Sequence, residues 1–302
     1  LSNLVSTFSI AAIDPHNRDL GVAVQSKYFS VGSIVPWVEA EVGAIATQAF
    51  VNVSYGPNGL KLLREDLSAD EVIAELTKND EDREERQLGV VDAKGNVACF
   101  TGKNCLEWAG SATGATYTAQ GNILTSEDVV LAMADHFENA KGELADKLIA
   151  ALEGGQDAGG DARGRQSAAL IIMRKGAGRA GYGDRYIDLR VEDHTEPIQE
   201  LRRLLGLAHT YNQIEASWEA IESKNFPEAL EFAKKAVKLT PTNDEAHVVL
   251  GLTYYLLGDT NVSVTEFRQV LQINPNMKDM VQYYLKECSV EDNDFIQKIF
   301  GK

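Results

Sequence analysis

A threonine at the head of a strand, with a hydroxyl opposite it and an ammonium one residue further on, can become a nucleophile, and this chain places such groups near its start. Thr7-Phe-Ser-Ile-Ala-Ala-Ile13 and Leu20-Gly-Val-Ala-Val-Gln-Ser-Lys27 read as strands, separated by the turn formers Asp14-Pro15-His16-Asn17-Arg18-Asp19. If Ile13 pairs with Leu20, the register carries Thr7 opposite Ser26 and beside Lys27. A nearby ammonium favours the deprotonated hydroxyl, and a lysine with a lowered pKa can take the proton. Thr7 is therefore the candidate nucleophile, Ser6 its alternative, and Ser26 and Lys27 the groups that tune it. The same residues would also serve as a plain cross-strand hydroxyl pair beside a solvated strand end.

Two further polar clusters could complete such a site. Backbone N–H groups near Thr47 and Gln48, with Asn52 and Tyr55 close in sequence, suit an oxyanion, and Asn122 would line the same pocket. The run Asp161-Ala-Arg-Gly-Arg-Gln-Ser167 closes a glycine-rich stretch that starts at Gly154. There Asp161, Arg163 and Ser167 could orient or line a site, with Arg163 or Arg165 adding positive charge for an anionic group. The stretch lacks the Gly-Lys-Ser/Thr ending of a phosphate-binding loop, and no G-x-G-x-x-G follows a strand. Its other reading is a long helix-to-strand connection. No G-x-S-x-G elbow is present. The histidines, His16, His136, His194, His209 and His247, have no metal-ligand spacing and read as surface or helix-end residues, so neither a metal nor a cofactor is expected.

These groups need a scaffold, and 302 residues with 44% hydrophobic and 25% charged side chains suffice for one large and one small globular domain. The formal charge of -16 disfavours nucleic acid and anionic lipid as partners. No apolar run approaches the roughly 20 residues that cross a bilayer. Cys99 and Cys105 flank the turn Thr101-Gly102-Lys103-Asn104, which would permit a disulfide, although two ordinary buried thiols fit as well. A chain that starts at Leu1 is expected to have lost a leading segment, which leaves cytoplasmic and exported locations both open.

Strand signals also fall at 42–48, 86–91, 96–101, 115–119, 166–174 and 185–191, and helical patterns at 58–66, 68–79, 126–139, 143–153 and 197–207. Ser68 with Glu71 three residues on is a capping box. The order suits layered sheets with helices outside, not the βαβα alternation of a parallel doubly wound sheet. Beyond Thr210 the pattern is helical, with a 34-residue period relating Pro241 to Pro275, Ala229 to Ser263 and Ser217 to Gly251. Leu250-Gly-Leu-Thr-Tyr-Tyr-Leu-Leu-Gly258 with Phe267 and Pro275 resembles the tetratricopeptide pattern, giving repeats at 210–243 and 244–277 and a capping helix at 278–288. Two repeats and a cap need a neighbour, so the module is expected to lean on the first domain or on another copy in a homo-oligomer.

The ordered segments STFSIAAIDP, LGVAVQSKYFSVGSIVPW, GAIATQAFVNVSYGPNGL, RQLGVVD, FTGKNCLEWAG, QGNIL, GGDARGRQSAAL and DRYIDLRVEDH resemble the domain-of-unknown-function 1028 family, related in fold to the N-terminal-nucleophile hydrolases. The resemblance implies an α+β chain: a four-layer αββα sandwich over 1–208, followed by an all-α tetratricopeptide-type domain over 209–302. It also implies amide hydrolysis by the hydroxyl of a chain's first residue, whose own α-amine is the base, with Thr7 in that place. Here Thr7 is preceded by six residues, so processing before Ser6 or Thr7 would have to expose it. Relatives of the proteasome type carry a lysine on a strand after the hairpin, and Lys27 is the nearest substitute. The expected function is an amidohydrolase or peptidase acting on a small amide or peptide, with repeats that bind a peptide or protein. The rivals are a non-catalytic scaffold and a ligand-binding domain built on the loop from Asp161 to Ser167.

Overall fold

The computed structural model describes residues 4–178 and 181–301. The chain divides into two compact units, residues 1–203 and 204–302.

In the first unit two antiparallel sheets stack face to face. One contains β1 (Leu4–Val5), β4 (Pro36–Glu39), β5 (Gly43–Phe50), β6 (Arg86–Asp92) and β7 (Val97–Thr101). The other runs in the order β11 (Arg185–Val191), β10 (Ser167–Met173), β3 (Leu20–Ser26), β2 (Phe8–Ile13), β9 (Tyr117–Gly121), β8 (Gly110–Thr113). Helices α1 (Tyr55–Arg64) and α2 (Ala69–Thr77) cover the outer face of the first sheet, and α3 (Asp128–Asn139) and α4 (Leu144–Asp157) that of the second. The result is the four-layer αββα sandwich. The Ser68 and Glu71 capping box opens α2, and the hairpin register runs from Ile13 opposite Leu20 to Phe8 opposite Gln25.

Period-two alternation sends one face of each inner strand to each layer. Ala11, Ile13, Leu20, Val22 and Val24 meet Ala44, Ala46 and Val91 between the sheets. Part of this inter-sheet space is polar. Ser9 Oγ donates to Gln48 Oε1 at 2.7 Å, Gln120 Nε2 to Ser9 Oγ at 2.7 Å, and Gln48 Nε2 to Gln87 Oε1 at 2.8 Å. Pairing the buried amides with one another removes most of the desolvation penalty and fixes the offset of the sheets. Gly89 is required here, since a Cβ would lie 2.3 Å from Gln120 Oε1.

The glycine-rich stretch is only partly a loop. Its first four residues end α4, where Cβ atoms on Gly154 and Gly155 would stand 2.5 Å from the His136 ring and 2.7 Å from Met133 Cγ. These glycines let α3 and α4 approach, which accounts for them without a ligand. Cys99 and Cys105 are free thiols: Cys99 Sγ lies 3.0 Å from Ser111 Oγ, and Cys105 donates to the Arg86 carbonyl. Burial pushes the Cys105 thiol up to about 11.

Helix α5 (Pro197–Glu222) is longer than the 197–207 pattern and runs through the position where the units divide. The second unit continues with α6 (Phe226–Leu239), α7 (Asp244–Leu256), α8 (Thr260–Ile273), α9 (Lys278–Glu287) and α10 (Asn293–Phe300), an all-helical array. The 34-residue period reappears in its hydrogen bonds. Ser217 Oγ donates to the Ala229 carbonyl at 2.9 Å, and one period later Ser263 Oγ donates to the Gly251 carbonyl at 2.6 Å. The same helix-to-helix link is made twice, with donor and acceptor exchanged.

His247 lies in the first turn of α7, as its helix-end reading expects, but not on the surface. It is buried, with Nδ1 2.6 Å from Glu266 Oε2 and Nε2 2.9 Å from the Pro241 carbonyl. Both partners are acceptors, so only an imidazolium donating from both nitrogens satisfies them. The bond to Glu266 is the main cause that raises the His247 pKa, against burial. A raised folded pKa gives stability that is complete below about 6.5 and lost as pH rises through the folded value. Thermal melting of the helical unit should therefore weaken on the alkaline side more in the parent than in His247→Gln. Parallel pH profiles for the two proteins would contradict this.

Candidate functional site

The residues at the start of the hairpin converge at one end of the inter-sheet space. Continuing the register beyond Phe8 and Gln25 sets Thr7 against Ser26, and Ser167 pairs with Ser26 on its other side. Thr7, Ser6, Ser26 and Ser167 are all fully buried. The Thr7 hydroxyl donates to the Val5 carbonyl at 3.1 Å, instead of meeting Ser26 or Lys27. Its carbonyl accepts from the Asn122 N–H at 3.0 Å. The Ser6 hydroxyl donates to the Asn122 carbonyl at 2.9 Å.

The Ser6 carbonyl oxygen, belonging to the peptide bond that precedes Thr7, is held from two directions. Ser26 Oγ donates to it in a short bond, and Arg163 Nη2 donates to it at 3.0 Å. Arg163 is itself fixed by Asp161, Nε to Oδ1 at 3.1 Å and Nη2 to Oδ2 at 2.9 Å. The Asp161 side chain is wholly buried, and its Oδ2 also accepts the Lys27 N–H at 3.1 Å. A buried carboxylate gripping a guanidinium in fork geometry restricts the guanidinium to one orientation. Lys27 thus reaches the site through its main chain. Its exposed ammonium turns to the Arg165 carbonyl at 3.4 Å.

The other expected residues frame this arrangement. The Thr47 N–H already donates to the Val35 carbonyl at 3.2 Å, and its hydroxyl to the Asn52 carbonyl at 3.3 Å. Gln48 Nε2 stands 3.5 Å from the Thr7 carbonyl. Ser167 accepts the Val31 N–H at 3.1 Å and donates to the Tyr28 carbonyl, tying down the segment after β3. Asn122 Nδ2 donates to Gln87 Oε1 at 3.0 Å, and its Oδ1 has no partner among the described residues.

Sequence reasoning missed two features. One is Leu4–Val5, paired with Phe50 and Ala49 of β5 and placing a fully buried Val5 beside the site. A two-residue strand carries no periodicity. The other is Arg86, which bonds Asp80 through Nε at 3.0 Å while Asp80 Oδ2 accepts the Tyr55 hydroxyl at 2.7 Å. Arg86 holds the Asp80 carboxyl well below its usual range, and burial raises the Tyr55 phenol. Tyr55 was visible in sequence, but its partners lie too far along the chain for spacing to reveal. Among the described residues no group of three or more His, Cys, Asp or Glu could hold a metal, and no helix is long and apolar enough to cross a membrane.

Comparison with known proteins agrees with this architecture. A family of unknown function (DUF1028) matches residues 7–201, and a tetratricopeptide repeat matches residues 244–277. No curated protein matches the chain. The crystal structure of protein SPO2555 from Silicibacter pomeroyi, itself described as DUF1028, aligns with a TM-score of 0.62 and 31% identity. That alignment covers 67% of this chain and 86% of the other. The chain belongs to the DUF1028 family and carries a tetratricopeptide repeat behind the family domain.

Proposed function

We propose that the chain is the precursor of an N-terminal-nucleophile-type hydrolase, which cleaves its own Ser6–Thr7 bond and then hydrolyses amide or peptide bonds with Thr7. The observation that carries this reading is the double hold on the Ser6 carbonyl by Ser26 and Arg163. Negative charge develops on that oxygen when a nucleophile adds to its carbon, and donors already aimed there stabilise it without reorganisation. Thr7 Oγ would form the bond to the Ser6 carbonyl carbon, the C–N bond would break, and the hydroxyl proton would pass to the departing Thr7 nitrogen. One water then hydrolyses the ester, leaving a Ser6 carboxylate and a free Thr7 amine. That amine becomes the base for later cycles. Asn122, whose N–H holds the Thr7 carbonyl, also carries a buried Oδ1 with no partner among the described residues. In this scheme Arg163, oriented by Asp161, supplies the positive charge expected of Lys27, and Ser26 and Arg163 take the oxyanion role expected of the N–H groups at Thr47 and Gln48.

The helical unit would recruit a peptide or protein partner. Glu215, Glu219, Glu222, Glu228, Glu231, Asp244 and Glu245 favour basic or neutral segments.

A non-catalytic binding protein is the second reading, favoured by the complete burial of Thr7. Assaying the full chain and a chain beginning at Thr7 on a panel of amides and peptides separates the two. Turnover by the shorter chain, and by the full chain once it has lost residues 1–6, is expected; inactivity of both, with the parent's fold retained, assigns the scaffold role.

A further inference from the structure

The outer edge of β5 is closed in two pieces. β4 covers one end, pairing Pro36 to Glu39 with Ala46 to Gly43, and β1 covers the other, pairing Leu4 with Phe50 and Val5 with Ala49. β1 differs from β4 in having no hairpin to hold it there: it is the stretch just ahead of the bond assigned above to self-cleavage. Val5 is fully buried against the inter-sheet cluster, beside Val31, Val35 and Val51. Ser6 fills a small polar seat, its hydroxyl on the Asn122 carbonyl. A cavity of 450 Å³ adjoins Val5, bounded by Tyr28, Ile34, Val51 and Arg86. Asn52 and Ser54 line it as well, and the Arg86 guanidinium is paired with Asp80 and Asp82, so the cavity is mixed in polarity and the apolar preference rests on the packing of Val5 itself.

We propose that residues 4–6 occupy the seat of the substrate, and that the substrate is an extended peptide adding as an antiparallel strand to the Ala49–Phe50 edge of β5. Its residue just before the cleaved bond is small, as Ser6 is, and the one before that is apolar, as Val5 is. This rests on the hydrolase reading for its chemistry, but the seat itself is defined by strand pairing and burial. Main-chain bonds to a free strand edge supply affinity in such recognition, and pockets for side chains supply selectivity. While residues 4–6 remain in place they exclude any competitor by their high local concentration.

The test needs no catalysis. The full chain carrying Thr7→Ala, which cannot cut itself under this scheme, is compared with the same chain carrying also Val5→Glu, whose carboxylate cannot remain among Val31, Val35 and Val51. The probe is the labelled peptide Leu-Ser-Asn-Leu-Val-Ser, followed by fluorescence anisotropy. The Val5→Glu chain is expected to bind it at least about tenfold more tightly than the Thr7→Ala chain alone, and to bind Leu-Ser-Asn-Leu-Glu-Ser at least about tenfold less tightly. Equal affinity for both peptides, or no gain over the Thr7→Ala chain, would overturn the proposal. If Val5→Glu loses the parent's circular dichroism, the pair Leu4→Gly and Val5→Gly empties the seat without a charge and is judged by the same outcomes. Selective binding by a protein without turnover would leave the seat standing and remove the hydrolase reading. Turnover indifferent to the residue in Val5's position would do the reverse.

Discussion

Thr7→Ala in a chain beginning at residue 7 is expected to reduce amide turnover to background, while Thr7→Ser keeps a measurable part of it. Loss of one positioned proton-transfer group typically lowers a rate by about 10²–10⁴, and here the attacking atom is lost as well. Arg163→Ala should fall short of that, by about 10²–10³, the usual effect of removing one oxyanion donor. Both variants need the melting curve of their parent, because Thr7 is fully buried at the head of β2 and Arg163 is the ion-pair partner of the buried Asp161. A Thr7→Ala protein that turns over substrate like its parent would remove Thr7 from the chemistry.

The second large effect lies elsewhere in the sandwich and concerns stability. Asp19, 1% exposed, receives both Arg174 Nε and Nη2 at 2.7 Å, and the guanidinium lies over the Tyr186 ring at 3.7 Å from its centre. Glu143 Oε2 accepts a further bond from Arg174 at 3.2 Å. Arg174→Ala leaves Asp19 charged and buried without its partner, which costs about 3 kcal/mol, the low end for such pairs because Arg174 keeps solvent contact at 29% exposure. For a unit of this size that is roughly 6–12 °C in Tm. Adding Asp19→Asn should recover much of the loss by removing the stranded charge. A single variant melting with the parent, or a double variant no better than the single one, would contradict this account.

The sheet-forming hairpin was legible because its signals are local. Alternating apolar residues and one cluster of turn formers fix both strands and their register, and that register brings Thr7 to Ser26. The 34-residue period was legible for the same reason. What local reasoning could not reach is where a side chain turns once its strand ends. Lys27 follows the last paired residue of β3, so neither face of the sheet claims its ammonium, and the buried Asp161 takes the main chain instead. Arg163 was visible as a charge in a loop, but its contact with the Ser6 carbonyl spans 157 positions and depends on the stacking of helices and strands between. The short strands Leu4–Val5, Pro36–Glu39 and Gly110–Thr113 exist through their partners and carry too few residues to show a period. Of the inward glutamines Gln48, Gln87 and Gln120, only Gln48 stood out in the sequence, because the amide network they share forms only when the two sheets stack.

The claim that most needs testing is that the bond before Thr7 is cut by Thr7. Freshly purified full chain and its Thr7→Ala variant should be followed in parallel by intact mass and N-terminal sequencing. The parent is expected to lose residues 1–6 and acquire threonine as its first residue, at a rate independent of protein concentration, while Thr7→Ala stays whole. A parent chain that keeps its full mass under conditions where it remains folded, or a Thr7→Ala chain cut at the same bond and the same rate, would contradict it.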